Sequence, residues 1–133
     1  MAKALVRQPL SLRFPASSES VTEARHSIED YARSLGLADV DDVALAVSEA
    51  VGNAVLHAYR LRKPGTIELR AELLVPDALR VVVIDDGDGM SLHAGYSGLG
   101  LGLALIGSLT TALEIEPHQP HGTSVSMRFS LTG

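Results

Sequence analysis

Apolar residues recur along this chain in two periods, and the changes of period mark the elements. Leu10, Leu12 and Phe14 alternate with polar neighbours and read as a short strand over 10–14, stopped by Pro15. Ser20-x-x-Glu23 fits a capping box and predicts a helix of roughly 15 residues, ending near Gly36. Asp39 or Asp41 can cap the next helix, which should run to about Ala58. Val40, Val43, Val47, Val51 and Ala54 recur along it at steps of three and four, defining a core face. Two β-rich runs follow, 66–75 and 79–85, joined by Pro76-Asp77 in the manner of a hairpin. Within the second, Val81-Val82-Val83-Ile84 is continuously apolar, which predicts a central strand covered on both faces. Residues 86–98 carry several glycines and no helical period, so they read as a loop before a helix over 100–109. A second hairpin, 113–116 with 123–131, closes the chain. The order β-α-α-β-β-loop-α-β-β implies an α+β two-layer sandwich: a mixed, mostly antiparallel sheet with helices on one face.

At 133 residues the chain is expected to form one domain with a single core, residues 1–9 being a flexible N-terminus. No apolar run reaches the roughly 18–20 residues of a membrane helix. The N-terminus MAKALVRQPL shows no secretory apolar segment, so a cytoplasmic, non-membrane protein is expected. With no cysteine, disulfides, thiolate metal sites and cysteine nucleophiles are excluded. The net charge of −5, with no Lys/Arg cluster beyond 60–63, argues against direct nucleic-acid binding.

Three polar segments interrupt the apolar pattern. Glu49 and Asn53 sit at i and i+4, about 40° apart around a helix, so they share one side. Such a pair commonly marks a solvated edge. Its chemical reading is a general base for a hydroxyl or water, with an amide oxygen one turn on that can ligate Mg²⁺ held by phosphates. His57 continues the line and is read as structural. Asp85 ends the apolar strand, where its carboxylate can accept a hydrogen bond from an exocyclic amine; Gly87 and Gly89 then allow close backbone approach. A plain Asp-Gly turn fits the same residues, and Asp86 and Asp88 are read as turn residues. Finally, Gly98, Gly100 and Gly102 in GLGLGL precede an apolar helix whose first N–H groups could bind phosphate. The segment lacks the Gly-Lys-Ser/Thr of a P-loop and the strand context of a dinucleotide fingerprint.

Taken together, the segments resemble the Bergerat-type ATP-binding fold of gyrase, MutL and histidine kinases, and most of all the bacterial anti-sigma-factor serine kinases. SEAVGNAVLHAY resembles the N-box, VIDDGDGM the first glycine box, SGLGLGLALI the second, and HGTSVSMRF the closing strand. SLRFPASSESVTEARHSIEDYARSLGL resembles the entry strand and first helix, so the likeness covers about residues 10–131. It implies an ATP/ADP site with Mg²⁺, in which Glu49 is the base, Asn53 the metal ligand and Asp85 the reader of the adenine amine. Gly87 and Gly89 would shape the pocket, Gly98, Gly100, Gly102 and Leu103 would belong to the phosphate helix, and Thr123 would close the adenine side. It further implies a protein serine kinase acting on a STAS-type antagonist, a sigma factor as second partner, and homodimers. Histidine kinases commonly carry Asn where this chain has Glu49; a carboxylate there suits a hydroxyl or water nucleophile.

One departure bears on activity. No Lys or Arg occurs between Arg80 and Arg128, whereas kinases of this kind usually place a basic residue near the lid. Arg25, Arg60, Arg62, Lys63 or His93 are the candidates to replace it. A catalytically weak, nucleotide-gated binding module is therefore the alternative.

Overall fold

The computed structural model describes residues 8–37, 39–60, 65–87, 97–119 and 122–131, with the side chains of 57–60 and 97–101 also left outside the description. Eight elements follow in order: β1 (Leu10–Pro15), α1 (Ser18–Ser34), α2 (Val40–Arg60), β2 (Thr66–Leu74), β3 (Ala78–Asp85), α3 (Ser97–Leu109), β4 (Ala112–Pro117) and β5 (Thr123–Ser130). The strands form one sheet in the order β1-β2-β3-β5-β4, and every pairing is antiparallel. The expected α+β two-layer architecture is what the chain adopts, with a sheet antiparallel throughout rather than mixed.

Alternation along the strands sorts residues onto two faces. Ile67, Leu69 and Ala71 on β2, Leu79, Val81 and Val83 on β3, and Val125, Met127 and Phe129 on β5 are buried toward the helices. The helix layer has α2 in the middle, packed against α1 on one side and α3 on the other. Val43, Val47, Val51 and Ala54 are buried as the helical period predicts, and Ala44, Ala46 and Ala50 are buried as well. Alanines there let neighbouring helices approach closely.

Three details differ from the sequence reading. The first helix starts at Ser18 with Ser17 as N-cap, so Ser20 lies inside the first turn rather than capping it. Ser20 is fully buried, and its hydroxyl donates to the Pro15 carbonyl, tying β1 to α1. Glu23, the other half of the expected box, is exposed. Second, helices cover one face of β3; on the other face, Val82 and Ile84 are buried among strand neighbours and floor a shallow depression lined by Arg70, Arg80 and Ser124. An apolar run in a central strand thus reports the middle of the sheet, with cross-strand side chains supplying the second cover. Third, α3 begins at Ser97, three residues before the sequence reading placed it, because docking against α2 overrides the poor helix propensity of clustered glycines.

Candidate functional site

Asp85 is the last residue of β3 and Thr123 the first of β5, and the two are register partners. Both share the parity of the core-facing residues, so they project toward the helix layer from the end of the sheet. They are 6% and 3% exposed, unusual burial for a carboxylate and a hydroxyl at strand ends. Asp85 Oδ1 accepts the Gly87 N–H at 2.9 Å, an Asx-type turn that aims the carboxylate. The Asp86 carboxylate accepts the Thr66 N–H at 2.9 Å and so ties the end of β3 to the start of β2.

Glu49 and Asn53 lie on the stretch of α2 that meets α3. Asn53 is 8% exposed, and its side-chain nitrogen is buried without a hydrogen-bond partner among the described residues. This is no solvated edge. Buried amides are ordinarily satisfied, so an orphaned one marks a place where a ligand or ordered solvent completes the bonding.

Gly102 explains how the two helices meet here. A Cβ at this position would stand 3.0 Å from Asn53 Nδ2, 3.1 Å from Asn53 Oδ1 and 3.2 Å from Glu49 Oε1. The missing side chain brings the α3 backbone against both polar groups. Gly102 is buried and lies a full turn inside α3, whereas Gly98 sits in the first turn, where helix N–H groups lack an intrahelical acceptor. Leu103, beside it, is half-buried against the core. The helix that carries Glu49 and Asn53 also packs on β2 and on β3, the strand that ends in Asp85.

Gly89, Asp88 and His93 lie outside the described residues, as do Arg62 and Lys63; nothing is described of the His57 and Arg60 side chains. Arg25 is exposed on α1, which packs on the other side of α2 from α3. Arg80 and Arg128 are register partners on the open face of the sheet, away from the helices, and Arg80 engages Glu72 at 3.5 Å and Ser126 at 3.2 Å. Among the described residues no group of three His, Cys, Asp or Glu could hold a metal alone.

One contributor escaped the sequence reading. Gly122 adopts φ 119 immediately before Thr123, and a Cβ there would overlap the Asp85 carbonyl oxygen and come within 3.1 Å of Asp86 Cα. Its signal, a glycine next to the first residue of a strand, is visible in the sequence; its neighbour across the sheet is not.

A helix-borne carboxylate and amide, a buried aspartate at a strand end and a glycine-led helix sit on a five-stranded antiparallel sheet backed by helices, the architecture of kinase-like ATPase domains. Residues 14–129 match the family model described as the histidine kinase-like ATPase domain, and the chain belongs to that family. It is 36% identical over 93 residues to the serine-protein kinase RsbW of Bacillus licheniformis, covering 68% of this chain and 58% of that one. It is 30% identical to RsbW of Bacillus subtilis, covering 93% and 86%, and 28% identical to the anti-sigma F factor of Clostridium beijerinckii, covering 90% and 92%. Among solved structures, the histidine kinase domain of a blue-light activated kinase from Erythrobacter litoralis superposes with a TM-score of 0.59 at 30% identity, over 70% of this chain and 45% of that one. A SiaB-SiaC complex structure from Pseudomonas aeruginosa, at 14% identity, TM-score 0.59 and coverage of 91% and 89%, shares the fold. No helix among the described residues is long and apolar enough to cross a membrane.

Proposed function

We propose that the protein is an ATP-binding anti-sigma factor that holds an alternative sigma factor and phosphorylates a serine on a STAS-type antagonist. The observation that carries this reading is the Glu49–Asn53 pair pressed against Gly102, with an Asn53 amide nitrogen that is buried without a partner among the described residues. A nucleotide with Mg²⁺ fits these residues. Mg²⁺ commonly relies on one or two protein ligands together with substrate phosphates and water, so a site without a protein-only metal cage is the expected kind. Bound there, the ion would supply charge neutralisation on the phosphates.

Each residue then has a defined task. Asn53 would hold the ion through its side-chain oxygen, and its buried Nδ2 would donate to a phosphate oxygen or an ordered water. Asp85, buried and oriented through Gly87, would accept the adenine amine, with Thr123 beside it. The first turn of α3, including Gly98, would offer N–H groups to phosphate oxygens. Glu49 would accept the proton of the substrate serine, holding that hydroxyl as the better nucleophile. The RsbW and anti-sigma F relatives support the serine kinase and sigma-factor assignments.

The test is transfer of labelled phosphate from ATP with Mg²⁺ to a cognate antagonist. A base contributes about 10²–10⁴-fold, so Glu49→Ala should lower single-turnover transfer by at least about a hundredfold and leave ADP affinity nearly unchanged. Undiminished transfer would remove Glu49 from the chemistry.

A second reading is favoured by the charge layout. The two arginines that bound the cation-free stretch both lie on the open sheet face. A γ-phosphate without a basic partner loses much of the transition-state stabilisation that phosphoryl transfer depends on. On this reading the protein is a nucleotide-gated binding module: calorimetry would show ADP and ATP binding, and no antagonist would accept phosphate.

A further inference from the structure

We propose that Gly122 is a positioning residue for base recognition: it holds the end of β3 in the one place from which Asp85 can select adenine. The inference rests on the reading of Asp85 given above. The last peptide of β3 is held from three sides. Asp86 Oδ1 accepts the Thr66 N–H from β2, the Gly87 N–H closes onto Asp85 Oδ1, and Gly122 stacks directly on the Asp85 carbonyl. Gly122 is itself fixed by the His118 N–H, which donates to its carbonyl at 3.0 Å across the β4–β5 connection.

Two constraints make glycine necessary here. At φ 119 the backbone lies where side-chain-bearing residues are rarely found. Independently, any Cβ would overlap the Asp85 carbonyl oxygen and crowd the Asp85 carbonyl carbon at 3.0 Å, and both are backbone atoms that cannot rotate away. A methyl group must therefore push the Asp85–Asp86 peptide and carry the carboxylate with it. Adenine presents an amine donor to a carboxylate, whereas guanine presents a carbonyl at the same position, so a correctly placed Asp85 accepts one base and repels the other.

The experiment is calorimetric titration of the full chain with Mg²⁺ and either ATP or GTP. The wild-type protein should prefer ATP strongly. Gly122→Ala should weaken ATP binding by at least about tenfold while GTP binding stays within about twofold, so that discrimination collapses. Gly36→Ala is the control: Gly36 also has positive φ, at 77, yet nothing lies within 4 Å of its Cβ position, so the preference should be unchanged. Should Gly122→Ala not fold, His118→Pro removes the N–H that fixes Gly122 and should lower the ATP preference in the same direction. A Gly122→Ala protein, or failing that a His118→Pro protein, that keeps the full ATP preference overturns the inference. A wild-type protein indifferent to the base instead overturns the reading of Asp85, and the positioning role with it.

Discussion

Leaving a buried N–H without an acceptor costs roughly 1–3 kcal/mol, and Asn53 Nδ2, at the α2–α3 contact, has none among the described residues. Removing the group should therefore separate stability from function. Asn53→Ala is expected to unfold at the same temperature as the wild type or slightly above it, while Mg²⁺-dependent ATP affinity falls by about tenfold or more. Parallel thermal melts and calorimetry check this; a variant that is both strongly destabilised and still binds would make Asn53 a packing residue. Gly102→Ala sets two opposing effects against each other. Alanine gains about 1 kcal/mol of helix propensity over glycine, but its methyl meets three polar atoms of Asn53 and Glu49 at 3.0–3.2 Å, which must yield by a few tenths of an ångström. Stability should change little, whereas misplacing reacting groups by even about 1 Å can cost on the order of a hundredfold in rate. Single-turnover transfer should thus fall in a protein that melts normally. At this scale the spacing of Glu49 and Asn53 was legible because helical geometry is local. The surroundings of Gly102 and Gly122 were not, since their neighbours come from α2 and β3, far away along the chain.

At the scale of elements, apolar period together with capping and turn signals located each strand and helix among the described residues, and the errors lie at the ends. Ser20 shows why. A Ser-x-x-Glu pattern looks like a reciprocal cap, yet the chain reverses two residues earlier after Pro15, so Ser20 turns inward to the Pro15 carbonyl and Glu23 is left in water. The two readings make different predictions. Burial of a hydroxyl donating to a backbone carbonyl predicts that Ser20→Ala lowers stability by about 1–2 kcal/mol in urea melts, while Glu23→Ala leaves the midpoint in place. A reciprocal cap would make both variants destabilising. The β3 run illustrates the same limit: four consecutive apolar residues announce a central strand, but whether helices or neighbouring strands cover its second face depends on where the crossover connections run. Here both helical segments fall on one side, and the other face is filled by paired charges such as Arg70 with Glu68 at 2.6 Å. Exposed pairs of this kind add little stability and serve mainly to keep the open face wet.

For the molecule as a whole, the proposed function links ligand binding to folding, since a site drawn from α2, α3 and the ends of β3 and β5 would have no counterpart in the unfolded chain. Nucleotide at a hundredfold excess over Kd should stabilise the native state by about 2.7 kcal/mol. With an unfolding entropy of about 2.1 cal/mol/K per residue, that corresponds to a rise of roughly 10 °C in Tm for a chain of this length. Asp85→Asn isolates the base-reading step. The amide oxygen can still accept the Gly87 N–H, so the turn at the end of β3 is retained and the melt without nucleotide should barely move. Against adenine, however, the variant can present an amide donor where the base also presents a donor, and a buried mismatch of that kind weakens binding sharply. The ATP-induced rise should accordingly shrink to a few degrees in Asp85→Asn, measured by differential scanning calorimetry with and without Mg²⁺-ATP. A full rise in the variant would mean that the strand-end carboxylate takes no part in nucleotide recognition, and the site would have to be rebuilt around the α2–α3 contact alone.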